Sequence, residues 1–149
     1  ENMLGSISMI KHMNIYGSTA RADLPMTLIA TQDIGHVAAR SLLEVNFTGH
    51  QVRELLGPRD ITMQECTKIL GKAIGKPDLP YVQFPEEEAI KGMVNAGVPE
   101  ERAQMYLELY RGFNNGTVKP TQERSLKTNT PTTFETFAEK VFAPAYRSL

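Results

Sequence analysis

The chain has 149 residues, enough to bury one sizeable core, and its 16 Lys plus Arg against 17 Asp plus Glu give a formal net charge of −1. That balance offers no electrostatic footprint for a phosphate backbone or an anionic lipid surface, so neither direct nucleic-acid binding nor a membrane is expected. The single cysteine, Cys66, excludes an internal disulfide and suits a reducing compartment, and no apolar run approaches spanning length, so a cytoplasmic location is expected.

The opening "ENMLGSISMIKHMN" lacks a basic leader and is interrupted by Gly5, Ser6 and Ser8, unlike a signal peptide. Residues 2–13 place Met3, Ile7 and Ile10 on one side with Leu4 and Met9 nearby, which predicts a helix with a broad apolar surface. "NIYGSTARADLP" breaks it. Residues 26–30 suit a short buried strand, after which Asp33 is placed to cap a helix whose apolar stripe is Ile34, Val37, Ala38, Ser41, Leu42 and Val45.

Residues 52–56 of "VRELLGP" are expected as a strand ended by a turn, although their alternation is ambiguous about which face is buried. "DITMQECTKILGKAIGKP" predicts a helix with a Thr62–Glu65 capping box, a core face of Cys66, Ile69, Leu70, Ala73 and Ile74, and a stop at Gly75 and Pro77. A short strand over 81–84 follows. Pro85 and Pro99 each open a helix whose first turn is acidic, Glu86 to Glu88 in one and Glu100 to Glu101 in the other, where the helix dipole favours negative charge. Beyond the polar connection 117–130, Thr132 and Glu135 suggest a second capping box, with Phe134, Phe137, Ala138, Val141 and Phe142 at helical spacing.

Few residues carry chemistry. His12, His36 and His50 have no spacing that assembles a metal site, so none is expected, and His36 with Arg40 and Glu44 forms an i, i+4 row typical of a solvated helix face. Cys66 falls on a core face, where thiols are inert packing groups. No GxGxxG and no P-loop occurs, and Gly71 and Gly75 sit at helical positions wrong for a phosphate cradle. None of the five tyrosines has a lysine four residues on. Met3, Met9 and Met13 could line an adaptable ligand wall, with ordinary core as the stronger reading. The sequons at Asn46 and Asn115 read as chance matches.

Several segments, in order, resemble the C-terminal half of the NmrA-like family, atypical extended short-chain dehydrogenase/reductases of the Rossmann superfamily. They are Glu1 and Asn2, "LIATQDIGHVAARSLL", "ELLGPRDITMQECTKILGKAIGKP" and "GVPEERAQMYLELYRGFNNG". The resemblance implies an α/β chain, mostly helical with a few short strands. In the family the dinucleotide-binding half precedes these segments, so a truncated chain or a proteolytic fragment is expected, with residues 52–56 completing the sheet of the absent half. It implies a substrate-side cleft bordered by Thr31, Gln32 and Asp33 with Asn2, Met3 and Ile7 opposite. No catalytic or cofactor-binding residue is assigned to this chain. The implied parent uses NAD or NADP, none of it bound by this chain alone, to reduce a small carbonyl or quinone-like substrate. The alternatives are a non-enzymatic redox sensor or regulator acting through a protein partner, and a free-standing helical interaction module. An unpaired edge at 52–56 would favour a homodimer or a strand-swapped assembly.

Overall fold

The computed structural model describes residues 1–45 and 47–149; the sequon at Asn46 lies outside the described residues. The architecture is α/β and mostly helical, with a few short strands. A 3-10 turn (Asn2–Ser6) runs into α1 (Ile7–Met13), followed by β1 (Tyr16–Ser18), β2 (Pro25–Thr27) and α2 (Thr31–Glu44). Then come β3 (Asp60–Thr62), α3 (Met63–Ala73), β4 (Tyr81–Gln83), α4 (Glu86–Asn95) and α5 (Glu100–Asn114). The chain closes with α6 (Phe134–Phe137), a π-type stretch (Ala138–Phe142) and α7 (Ala143–Ser148).

The strands form two separate pairs. β1 lies parallel to β4, with Tyr16 opposite Tyr81 and Ser18 opposite Gln83, and β2 lies antiparallel to β3, with Met26 opposite Ile61. A parallel pair needs a long crossover; here it runs through β2, α2, β3 and α3. β1 lies inside "NIYGSTARADLP", a segment read from sequence only as a break, because three residues carry too little periodicity to be seen without their partner.

The core gathers Ile7 and Ile10 of α1, Met63 and Leu70 of α3, Leu79, Tyr16, and Phe137, Ala138 and Phe142 of the last helical segment. Thr62 caps α3 as expected, its Oγ1 accepting from the Glu65 amide at 3.1 Å. The reciprocal half of the capping box is replaced by an ion pair from Glu65 to Arg59 at 2.8 Å. Gly71 allows the close turn after α3: an added Cβ would run into the Lys76 carbonyl and meet Leu79 at 3.0 Å. The loop closes with Lys76 N–H donating to the Gly71 carbonyl, and Gly75 takes a φ of +77°.

Four expectations need correction. The strand over 26–30 is Pro25–Thr27 and half-buried. Residues 52–56 form no strand: a parallel bridge joins Leu56 to Asn129, and the Glu54 carboxylate and Arg53 guanidinium bind the backbone of Thr121, Gln122 and Lys127 instead. The Gln122 side chain meets the backbone of the same segment at the Glu54 amide (3.4 Å) and the Val52 carbonyl (3.3 Å). The last helix is capped by Thr133, whose Oγ1 accepts from the Thr136 amide at 3.1 Å, one residue beyond Thr132.

The fourth correction concerns α2. It begins at Thr31, two residues before Asp33, so Asp33 is not its cap. Its expected core stripe is largely in solvent: Asp33 is its buried residue, while Ile34 is 42 %, Leu42 72 % and Val45 71 % exposed. The helical period is present, but past the first turn only Val37 and Ser41 of that stripe are half-buried.

Candidate functional site

The loop leaving β2 and the first turn of α2 put Leu28 to Thr31 along the floor of a cleft of about 1110 Å³. Asn2, Met3 and Tyr16 form one wall. The opposite wall is a face of α5: Tyr106, Tyr110 and Phe113, spaced at i, i+4 and i+7, turn their rings toward the cavity together with Leu109. Phe134 and Phe137, with ring centroids 5.7 Å apart, contribute from below. Charge is confined to Glu1, Glu54, Arg59 and Lys119. A mostly apolar, aromatic cavity with few charges recognises ligands by shape and ring contact.

Of the residues expected at the substrate side, Asn2, Met3 and Thr31 line this cleft. Ile7 is buried in the core at 3 % exposure, and Gln32 is exposed on α2 away from the cavity lining. Asp33 is 4 % exposed and serves as a strap: its carboxylate accepts from the Thr132 amide at 2.9 Å and the Thr132 hydroxyl at 2.7 Å. Burial opposes its ionisation, but these bonds and one from Thr130 outweigh it and hold the carboxyl below its usual range. The strap ties the start of α2 to the segment preceding α6.

The aromatic face of α5 escaped sequence reading although its spacing was visible. It sat in a helix whose ends were clear from Pro99 and Gly116 but whose facing depends on where β1 and β2 lie. Asn114 fixes that facing, its side chain donating to the Thr19 carbonyl and accepting from the Arg21 amide, both at 2.9 Å. At the same open end of the α4–α5 hairpin, Arg111 pairs with Glu86 at 2.6 Å.

The cleft holds little reactive chemistry. Tyr16 donates to the Met3 sulfur, and burial raises its pKa so far that it remains a neutral phenol. Burial likewise raises Tyr110. Cys66 is fully buried away from the cavity lining, its thiol pushed up to about 12 chiefly by desolvation. Among the described residues no cluster of His, Cys, Asp or Glu could hold a metal ion. No described helix is long and apolar enough to cross a membrane. At the helix start beside the cleft, the Glu1 carboxylate already accepts from the Thr31 amide at 2.9 Å, placing negative charge where a phosphate would need N–H donors.

Comparison with known structures is decisive at the level of fold. The crystal structure of the Citrobacter sp. triphenylmethane reductase complexed with NADP(H) superposes with a TM-score of 0.70 over 95% of this chain and 47% of that chain, at 19% identity. The fold is shared with that reductase. A second structure of the Citrobacter sp. triphenylmethane reductase gives a TM-score of 0.65 over 96% of this chain and 47% of that chain, again at 19% identity. In sequence, the Prestalk A differentiation protein A of Dictyostelium discoideum is 26% identical over 117 residues, 77% of this chain and 38% of that protein. No family model matches. The chain therefore spans about half the length of the triphenylmethane reductase structures it superposes on, and less of the Dictyostelium protein.

Proposed function

We propose that this chain is the substrate-side lobe of an NAD(P)-dependent reductase of a small carbonyl or quinone-like compound, with the dinucleotide held by polypeptide outside these residues. The observation that carries the reading is the aromatic cleft, set in a fold shared with an NADP(H)-complexed reductase. Its residues do what a substrate lobe requires. Tyr106, Tyr110 and Phe113 present ring faces and edges to a planar conjugated ligand, Phe134 and Phe137 keep water from one side, and Thr31 and Asn2 supply polar contacts at the opposite wall. No acid, base or phosphate site is assigned to these residues, so the reduction equivalent and its geometry belong to the other lobe. NAD or NADP is the parent's cofactor in this reading, and the cytoplasm its location.

The test uses the protein's own chromophores. With five tyrosines and no tryptophan, three of them in the cleft lining, a bound quinone quenches tyrosine emission. Saturable quenching by naphthoquinone, weakened in Phe113→Ala, is the expected result; linear collisional quenching without saturation would sink the reading.

A second reading draws on the bare C-terminal end of α2 and the residues just after it. Leu42, Leu43, Val45 and Phe47, all between 46 % and 85 % exposed, form an apolar surface suited to a protein partner, as a redox sensor or regulator would need. The same surface could join two copies of the chain in a homodimer. Partner-dependent function without turnover by the intact protein would favour this reading.

A further inference from the structure

We propose that Lys119 makes the cleft selective for ligands whose conjugated ring carries an anionic substituent, a carboxylate or sulfonate, which pairs with its ammonium group. The inference deepens the reductase reading and rests on it. Of the charged side chains in the lining, Glu1, Glu54 and Arg59 are already engaged. The Glu1 carboxylate accepts from the Thr31 amide at 2.9 Å, that of Glu54 from the Thr121 and Gln122 amides at 2.9 and 2.6 Å, and Arg59 pairs with Glu65 and Glu135 at 2.8 and 3.0 Å. Lys119 has no hydrogen-bond or ion-pair partner among the described residues.

The chain fixes where that charge stands. Gly112 of α5 leaves room for Val118, whose Cγ2 would lie 2.6 Å from an added Cβ, and the Val118 N–H donates to the Gly112 carbonyl at 2.9 Å. On the other side, Glu54 holds the amides of Thr121 and Gln122. Lys119 and Pro120, between these two anchors, line the cleft together with the aromatic wall of α5. A positive charge beside apolar rings attracts an anion more strongly than one surrounded by water, because less solvent screens it. Glu1 and Glu54, by contrast, face N–H donors that offset their negative charge toward a ligand. The same anchors leave no cradle for a diphosphate: the amides of Val118, Thr121 and Gln122 are engaged within the chain and Pro120 has none, so one ammonium pairs with one anionic group.

The probes are anthraquinone sulfonate and neutral hydroxymethyl anthraquinone, neither of which offers an open quinone carbon to an amine or thiol, titrated against the whole chain by tyrosine quenching. In Lys119→Gln the sulfonate should lose about fivefold in affinity at low salt, the scale of one partly exposed ion pair, while the neutral compound binds as before. Lys119→Arg should keep the preference and added salt should erode it. Lys127→Gln, which removes the same charge outside the cleft lining, should leave it unaltered. Unchanged sulfonate affinity in Lys119→Gln, or an equal loss in Lys127→Gln, overturns the assignment and leaves the ring site standing. Loss of both compounds in Lys119→Gln overturns it too, as the lysine would then be shaping the cleft. Saturable binding of neither compound by the unmodified chain overturns the reductase reading and this inference together.

Discussion

Replacing Asp33 separates its role as a strap from that of a helix cap. Its carboxylate is 4 % exposed and accepts two bonds from Thr132, at 2.9 and 2.7 Å. In Asp33→Ala both donors lose a charged acceptor. Hydrogen bonds to charged groups contribute about 1.5–3 kcal/mol each, and the Thr132 hydroxyl can turn partly toward solvent, so a loss of about 3 kcal/mol is expected. In Asp33→Asn the amide oxygen still accepts from the Thr132 N–H and the hydroxyl can reverse to accept from the amide nitrogen, leaving a loss of about 1 kcal/mol. Urea denaturation measures both, and a cycle with Thr132→Val should give a coupling above about 1 kcal/mol. The sign of the pH dependence follows from the lowered folded pKa. The carboxylate's contribution is full above its unfolded pKa of about 3.9 and fades as pH falls through the folded value. The gap between native and Asp33→Asn therefore closes under acid. Equal stability of all three proteins at neutral pH, or zero coupling to Thr132, would refute the strap.

Other outcomes follow from the same geometry. Phe142→Ala, at a fully buried core position, should cost about 3–5 kcal/mol, read as a lower urea midpoint. Val45 ends α2 with φ +45°, a strained conformation for a β-branched residue in solvent; Val45→Gly should raise stability by about 1 kcal/mol, and a lowered melting temperature would contradict this. A thiol reagent at mildly alkaline pH should leave Cys66 untouched in the native protein and label it in denaturant, because burial both shields the thiol and pushes its pKa up to about 12. Leu42→Lys with Leu43→Lys should change stability by less than about 0.5 kcal/mol while abolishing any concentration-dependent self-association seen by sedimentation.

The helices were legible wherever local chemistry decides them. Thr62 before α3, Gly75 after it, and the Pro-Glu starts of α4 and α5 act within one turn, and the structure places each close to where the residues imply. What depended on distant partners was less readable. β1 exists because β4, more than sixty residues on, lies beside it, and residues 52–56 meet the 121–129 segment through the Leu56–Asn129 bridge and side-chain bonds rather than as a strand. α2 shows a subtler limit: Ile34, Leu42 and Val45 keep an amphipathic period, but periodicity states that a face is apolar and not that it is covered. The site was half legible for the same reason. Asn2, Met3 and Thr31 flank the cleft, whereas Asp33 was claimed by Thr132, ninety-nine residues away, and the aromatic wall of α5 needed Asn114's contact with the β1–β2 loop to aim it.

Isothermal titration of this chain with the oxidised and reduced forms of NAD and NADP bears most directly on the claim that it supplies the substrate wall and no phosphate cradle. With Glu1 occupying the Thr31 amide and no glycine-rich turn, each titration should show heats of dilution only. A saturable isotherm with a micromolar Kd for any of the four would contradict the account.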